Sequence, residues 1–221
     1  MKVLITGSSS GIGYGIALRF LSLGYDVVGI DINDCNIDNP KYTHYICDIK
    51  DKNNLPNVTD IDILINNAGM QNSEDDIANN LKGTINVTEK YIETNNLKSI
   101  LFNASASALS GFEFPEYVAS KAGMVGYMKN VACRLAGKGC TVNSLSLGGV
   151  YTHLNDPVIN NPILWKKIMD VTPMKKWMTV DEVCDFAVFL TVTNKSMSGQ
   201  NLLVDNGELN LNSTFVWPDG E

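Results

Sequence analysis

A chain of 221 residues has room for one α/β domain with a sizeable buried sheet and little room for a second. Its 44% apolar and 19% charged residues exclude a disordered protein, and no apolar run reaches the roughly 18 residues of a membrane span. A net charge of -7, with arginine only at positions 19 and 134, argues against a nucleic-acid partner and against docking of an acidic carrier protein, which would need a basic patch.

The opening MKVLITGSSSG passes from a short apolar run straight into glycine and serine, which reads as a first strand, KVLITG, and not as a secretory signal. The loop TGSSSGIG (Thr6 to Gly13) then opens the helical pattern GIGYGIALRFLSLG. Glycines at 7, 11 and 13 permit a tight turn and close backbone approach, and the following helix offers free N–H groups to a pyrophosphate. A second strand, YDVVGID, ends at Asp31, where a dinucleotide site needs a carboxylate for the adenosine ribose. That carboxylate would repel a 2′-phosphate and has no nearby lysine or arginine to receive one, so NAD is expected over NADP.

From Asp31 to Asp48 the asparagines, aspartates and Pro40 leave little room for a helix before the third strand, THYICD. The stretch DKNNLPNVTDID allows a turn or two before IDILINNAG. A helical run from about Asp75 to Thr94 precedes SILFNAS, and another from about Glu116 to Ala136 precedes CTVNSLSLG. VDEVCDFAVFLTV and the strand QNLLVD complete an alternation that predicts a single doubly wound parallel sheet, a Rossmann-type α/β fold over residues 1–221. Cys35, Cys47, Cys133, Cys140 and Cys184 are scattered, without CxxC or zinc-type histidine spacing. Reduced thiols in a cytoplasmic protein with no metal are the expectation.

YVASK places Tyr117 and Lys121 at i and i+4, on one helix face. By itself that pair fits a solvated surface or an active site. Taken with TGSSSGIG, NNAG (Asn66 to Gly69) and VNSLSLGGVYT, however, it resembles the short-chain dehydrogenase/reductase family in its compact classical form, from Lys2 to about Gly207. The resemblance implies an NAD-dependent oxidoreductase that moves a hydride between the nicotinamide and a secondary alcohol or ketone. Tyr117 would be the general acid/base, and Lys121 would favour the phenolate together with the positive nicotinamide while bonding the nicotinamide ribose. It implies Ser105 as the serine that binds the substrate oxygen, with Ser107 as the alternative, because ASAS replaces the usual serine pair. Asn80, preferred to Asn79, would order a relay water.

Cofactor contacts are implied for Gly7, Ser9, Ser10, Gly11, Ile12, Gly13, Asp31, Asp48, Ile49, Asn67, Ala68 and Gly69, and later for Gly148, Val150 and Thr152. Leu147 stands where the family has proline, which is expected to loosen that turn. Asn206 replaces a glycine in the family's closing VDGG and is expected to keep its left-handed backbone. The resemblance also implies a homodimer or homotetramer, in keeping with the small residues Ala119, Ala122, Gly123 and Gly126. A 3-oxoacyl reductase and a non-catalytic dinucleotide sensor are the alternatives.

Specificity is expected in a variable loop at about 151–179 and in the loop from Ala108 to Glu116, neither of which names a ligand. His153 and the pairs Lys166-Lys167 and Lys175-Lys176 read as solvated surface. Met174, Trp165 and Trp177 read as pocket lining or core. In the tail, residues 208–221, Phe215 and Trp217 stand in a polar setting, and the expectation is that they pack across a subunit interface.

Overall fold

Strands β1 (Lys2–Thr6), β2 (Asp26–Asp31), β3 (Tyr42–Ile46), β4 (Ile63–Asn66), β5 (Ser99–Asn103), β6 (Thr141–Leu147) and β7 (Asn201–Val204) form one parallel sheet in a computed structural model that describes residues 1–95 and 97–211. Their order is β3-β2-β1-β4-β5-β6-β7. Every neighbouring pair is parallel. The direction of winding reverses between β1 and β4, so the carboxyl ends of the central strands open onto a shared crevice, the usual ligand position in such sheets.

Apolar residues alternate between two cores because successive strand residues face opposite ways. Leu4, Leu64, Ile100 and Phe102 point to the side covered by α2 (Thr84–Thr94) and α4 (Pro115–Leu135), where Tyr91, Met124 and Met128 are fully buried. Val3, Ile5, Ile63, Ile65 and Leu101 point to the other side, against Ile16 and Phe20 of α1 (Gly11–Ser22) and Val183 and Ala187 of α7 (Val180–Val188). Each such side chain contributes about 1.5–3 kcal/mol of burial, so the central strands hold the crevice floor rigid.

The helical run expected from about Asp75 begins as a π-wound segment, Ile77–Gly83, before becoming α2, and the run after Val180 closes as another, Phe189–Thr193. Three short helices stand where loops were expected: α3 (Ser107–Ser110), α5 (Asp156–Ile159) and α6 (Pro162–Val171). The last is set by its start, where Asn161 accepts from the Leu164 N–H and Pro162 occupies the first turn.

No helix forms between β2 and β3. The connection is tied instead by Tyr42, whose hydroxyl lies 3.2 Å from Ser8 Oγ and 2.9 Å from His44 Nδ1, and by His44 Nε2, 2.9 Å from the Asn33 carbonyl. Without a covering helix, Tyr45 and Ile46 on the edge strand β3 are exposed. Among the described residues no helix is long and apolar enough to cross a membrane, and no group of three histidine, cysteine or acidic side chains could hold a metal. Phe215 and Trp217, and with them the tail expectation, lie outside the described residues.

Candidate active site

The glycine loop after β1 is bent by Gly7, at φ +69°, whose N–H donates to the Ile30 carbonyl at 2.8 Å. A Cβ on Gly13 would sit 2.0 Å from the Gly7 carbonyl oxygen, so Gly13 lets α1 pack beneath the loop and does not line the cleft. Ser9 is also turned away, its N–H donating to Asp31 Oδ2 at 3.0 Å and its hydroxyl to the Asn33 carbonyl at 3.0 Å. Gly7, Ser10, Gly11, Ile12, Asp31, Asp48, Ile49, Asn67, Ala68, Gly69 and Thr152 line a cleft of about 390 Å³. The Ser10 side chain makes no capping bond, which leaves the first-turn N–H groups of α1 directed at this cleft.

Asn67 latches three strand ends together. Its Nδ2 donates to the Thr6 and Gly7 carbonyls, each at 3.1 Å, and its Oδ1 accepts from Asn103 Nδ2 at 2.7 Å. Gly69, Ile12, Asn67 and Thr152 also border a second cavity of about 660 Å³, so the two spaces are continuous. Gly148 and Val150 line this second cavity. The turn at Leu147 is not loosened by the missing proline: β6 runs through Leu147, and the Gly148 N–H donates to the Val204 carbonyl at 2.9 Å. Asn206 does take the left-handed backbone, at φ +55°.

Tyr117, Lys121 and Ser105 meet on the wall of the larger cavity. Pro115 begins α4, which sets the helix phase so that Tyr117 and Lys121 face the sheet edge together. Lys121 is 5% exposed, and its Nζ donates to the Asn103 carbonyl at 2.9 Å and lies 5.7 Å from the Tyr117 ring centroid. Burial lowers its pKa to about 8, against the opposing pull of Asp76. Burial also pushes the Tyr117 phenol upward, the Ser105 hydroxyl opposes this, and the charges of Glu113 and Asp76 add to it. The neighbouring ammonium and nicotinamide were expected to favour the phenolate, yet in the protein alone the phenol is shifted upward, with burial the largest cause.

Asn80 lies outside both cavities, fully buried behind this wall. Its Nδ2 donates to the Met70 carbonyl at 2.8 Å and to Ser120 Oγ at 3.1 Å, while its Oδ1 accepts the Met70 N–H at 2.7 Å. A Cβ on Gly69 would be 3.2 Å from both Asn80 Oδ1 and Lys121 Nζ, which shows how closely the glycine lets the two approach. Ser105 and Ser107 are 2.9 Å apart, but Ser107 is turned to Glu113, donating to Oε2 at 2.7 Å.

Sequence reasoning passed over Glu113, Gln71, Asn103 and Glu208, all of which line the larger cavity. Glu113 is flanked by two phenylalanines in a loop with no motif, and Glu208 stands far along the chain, so only folding places them together. Trp177 also lines the cavity and packs edge-on against Trp165 at 5.0 Å, whereas Met174 is exposed. His153 borders the smaller cleft, but its ring is exposed and 3.1 Å from Asp156. Lys166 pairs with Asp170 and Lys176 with Glu182, and Lys175 donates to the last carbonyls of α6, none of them in either cavity.

Residues 7–208 match the family model described as Enoyl-(Acyl carrier protein) reductase. A 3-oxoacyl-[acyl-carrier-protein] reductase of Buchnera aphidicola subsp. Acyrthosiphon pisum is 28% identical over 236 residues, covering 92% of this chain and 95% of that protein. (+)-Borneol dehydrogenase 1 of Salvia officinalis is 30% identical over 241 residues, covering 92% of each. Among solved structures, that of Cj0485 dehydrogenase superposes with a TM-score of 0.85, at 25% identity over 98% of this chain and 96% of the other. With its parallel seven-stranded sheet and this family match over nearly its whole length, the chain belongs to the classical short-chain dehydrogenase/reductase family of oxidoreductases.

Proposed function

We propose that the protein is an NAD-dependent oxidoreductase that transfers a hydride between the nicotinamide and a secondary alcohol or ketone, with Tyr117 as general acid/base. The observation that carries this reading is the meeting of Ser105, Tyr117 and Lys121 on the wall of one cavity that is continuous with the glycine-loop cleft. The chain's residues fit a dinucleotide. Gly7 and the first turn of α1 form a cradle, and the buried Asn103 Oδ1 lacks a hydrogen-bond donor among the described residues, as an acceptor awaiting a ligand hydroxyl would.

Asp31, Asp48 and Ile49 would hold the adenosine half, Asn67, Ala68 and Gly69 the middle, and Lys121, Gly148, Val150 and Thr152 the nicotinamide half. Once bound, the nicotinamide accepts or returns the hydride. Asp31 supports NAD over NADP, since no lysine or arginine lines the adenosine cleft among the described residues. Tyr117 takes the alcohol proton in oxidation and returns it in reduction, while Ser105 holds the same oxygen. Lys121 keeps positive charge beside the phenol, and Asn80 braces Met70 and Ser120 behind it.

The stretch 151–179 serves as the substrate loop, in that Thr152, Leu154, Asn155, Ile168, Val171 and Trp177 all reach the cavity. A homodimer or homotetramer is part of this reading, supported by exposed Ala119, Ala122 and Gly126 on α4. The 3-oxoacyl reductase relatives favour a second reading, reduction of a 3-oxoacyl thioester. The acidic charge of the chain weighs against its usual acidic carrier.

The test is nicotinamide turnover by wild type and Tyr117→Phe, with NAD and NADP, against secondary alcohols and acetoacetyl thioester. Tyr117→Phe is expected to lower kcat by at least about 100-fold while nucleotide binding persists, in the range of general acid–base catalysis. Preference for NADPH and the thioester would replace this reading with the second. Nucleotide binding without turnover on any substrate would support a sensor.

A further inference from the structure

The larger cavity has an uneven wall. Phe112, Ile168, Val171, Trp177 and Leu209 give it an apolar side. Among its described lining residues the charged ones are Glu113, Glu208 and Lys121, and Lys121 is already committed to the Asn103 carbonyl. An anionic substrate would therefore meet two carboxylates and, among the described residues, no free cation.

Glu113 borders this cavity from the loop before α4. Its backbone lies at φ +83°, a region costly for a residue with a side chain. Its Oε2 accepts from Ser107 at 2.7 Å and from Gln71 Nε2 at 3.1 Å, while Oε1 accepts no hydrogen bond among the described residues. Across the cavity Glu208 Oε1 accepts from Thr172 at 2.8 Å. Burial pushes the Glu208 pKa upward, and the charges of Asp205 and Glu113 push it further, so the two glutamates repel each other across the same space. The Thr172 hydroxyl and the indole N–H of the buried Trp177 oppose that rise.

We infer that the substrate is an amino alcohol or amino ketone, with an ammonium group beside the reacting carbon seated between Glu113 and Glu208 and an apolar body against the Phe112 and Trp177 side. The inference rests on the reading of this cavity as the substrate site. A second consequence follows at Tyr117, whose phenol faces Lys121, Glu113 and Asp76. An ammonium beside Glu113 offsets the charge that opposes phenolate formation, so the substrate assists the ionisation of its own base.

Phenylethanolamine, styrene glycol and mandelate test this, because they share a phenyl ring and a carbinol and differ only in an ammonium, hydroxyl or carboxylate beside it. Binding to the enzyme with its nicotinamide cofactor is measured by calorimetry, and oxidation by NADH formation. The expected order is ammonium, then hydroxyl, then carboxylate, with about tenfold between the first two, as for one charge-assisted hydrogen bond. Glu113→Gln and, separately, Glu208→Gln are expected to bring the ratio of the first two close to one.

In Glu113→Gln the acid limb of the pH profile, read with styrene glycol, is expected to move to lower pH, which a purely structural role would not produce. Equal or preferred binding of mandelate, an order unchanged in both variants, or no binding of any of the three would overturn the inference. The expected binding order without NADH formation from any of them would instead count against hydride transfer and leave the charge preference standing.

Discussion

Lys121 shows at the scale of one residue how a buried charge is maintained at the expense of the fold. Its ammonium sits among buried neighbours, and its pKa falls to about 8. The unfolded chain, with lysine near its ordinary value of about 10.4, binds more protons than the folded chain between those values. This residue therefore makes the protein more stable as pH rises through that window, and its destabilising contribution is fully present below it. Lys121→Met is expected to remove this rise, read as the difference between the denaturant unfolding curves of variant and wild type from pH 7 to 10. Parallel curves would mean that the lysine is as well solvated in the fold as outside it. YVASK made the pair legible because helical spacing alone puts Tyr117 and Lys121 on one face. Glu113 was not legible, since its place depends on a left-handed turn that no residue type in GFEFPE demands.

Between elements, the pairing of α2 with α4 relies on more than apolar contact. Arg134 donates to both oxygens of Glu89, at 2.6 and 2.7 Å, and the Tyr127 hydroxyl donates to the same carboxylate at 2.6 Å. The guanidinium and the phenol hold the Glu89 pKa down to about 2. A carboxylate depressed in this way stabilises the fold above the ordinary glutamate value of about 4.3, and the contribution is lost as pH falls toward 2. Since Arg134 is 41% exposed at its side chain, solvent screening reduces the effect to about 1 kcal/mol. Glu89→Gln is thus expected to lower stability by about that amount at pH 7 and by progressively less at pH 3, measured by urea unfolding. An equal loss at both values would show that ionisation of Glu89 has no part in it. The sequence pattern identified both helices through their apolar periodicity. It could not show that α2 begins as a π-wound turn, because that winding answers to tertiary packing, with Gly83 lying against Ile49 so closely that a Cβ would be 2.6 Å away.

Across the whole molecule, the seven strands and the glycine loop after β1 were the readily legible part, because a parallel sheet buried on both faces writes itself as short β-branched runs. The larger cavity was far less so. Its walls come from β5, from the loop before α4, from α6 and from the segment after β7, and chain distance hides their convergence. The connection from β2 to β3 carries a different consequence. Like the connection from β3 to β4, and unlike the other crossovers, this one has no helix but a tied loop whose Ile32 and Asn33 border the glycine-loop cleft, and whose Ile32 is 59% exposed. A bound nucleotide would then serve as the missing packing layer, and mass action would link its concentration to the melting temperature. Ligand at 100 times its dissociation constant adds about 2.7 kcal/mol to unfolding. Saturating NADH is accordingly expected to raise Tm and to protect residues 32–41 from limited proteolysis, whereas protection confined to the opposite end of the sheet would break the link. In the cell, such a protein would persist in proportion to its cofactor supply, its lifetime reporting on the nucleotide pool.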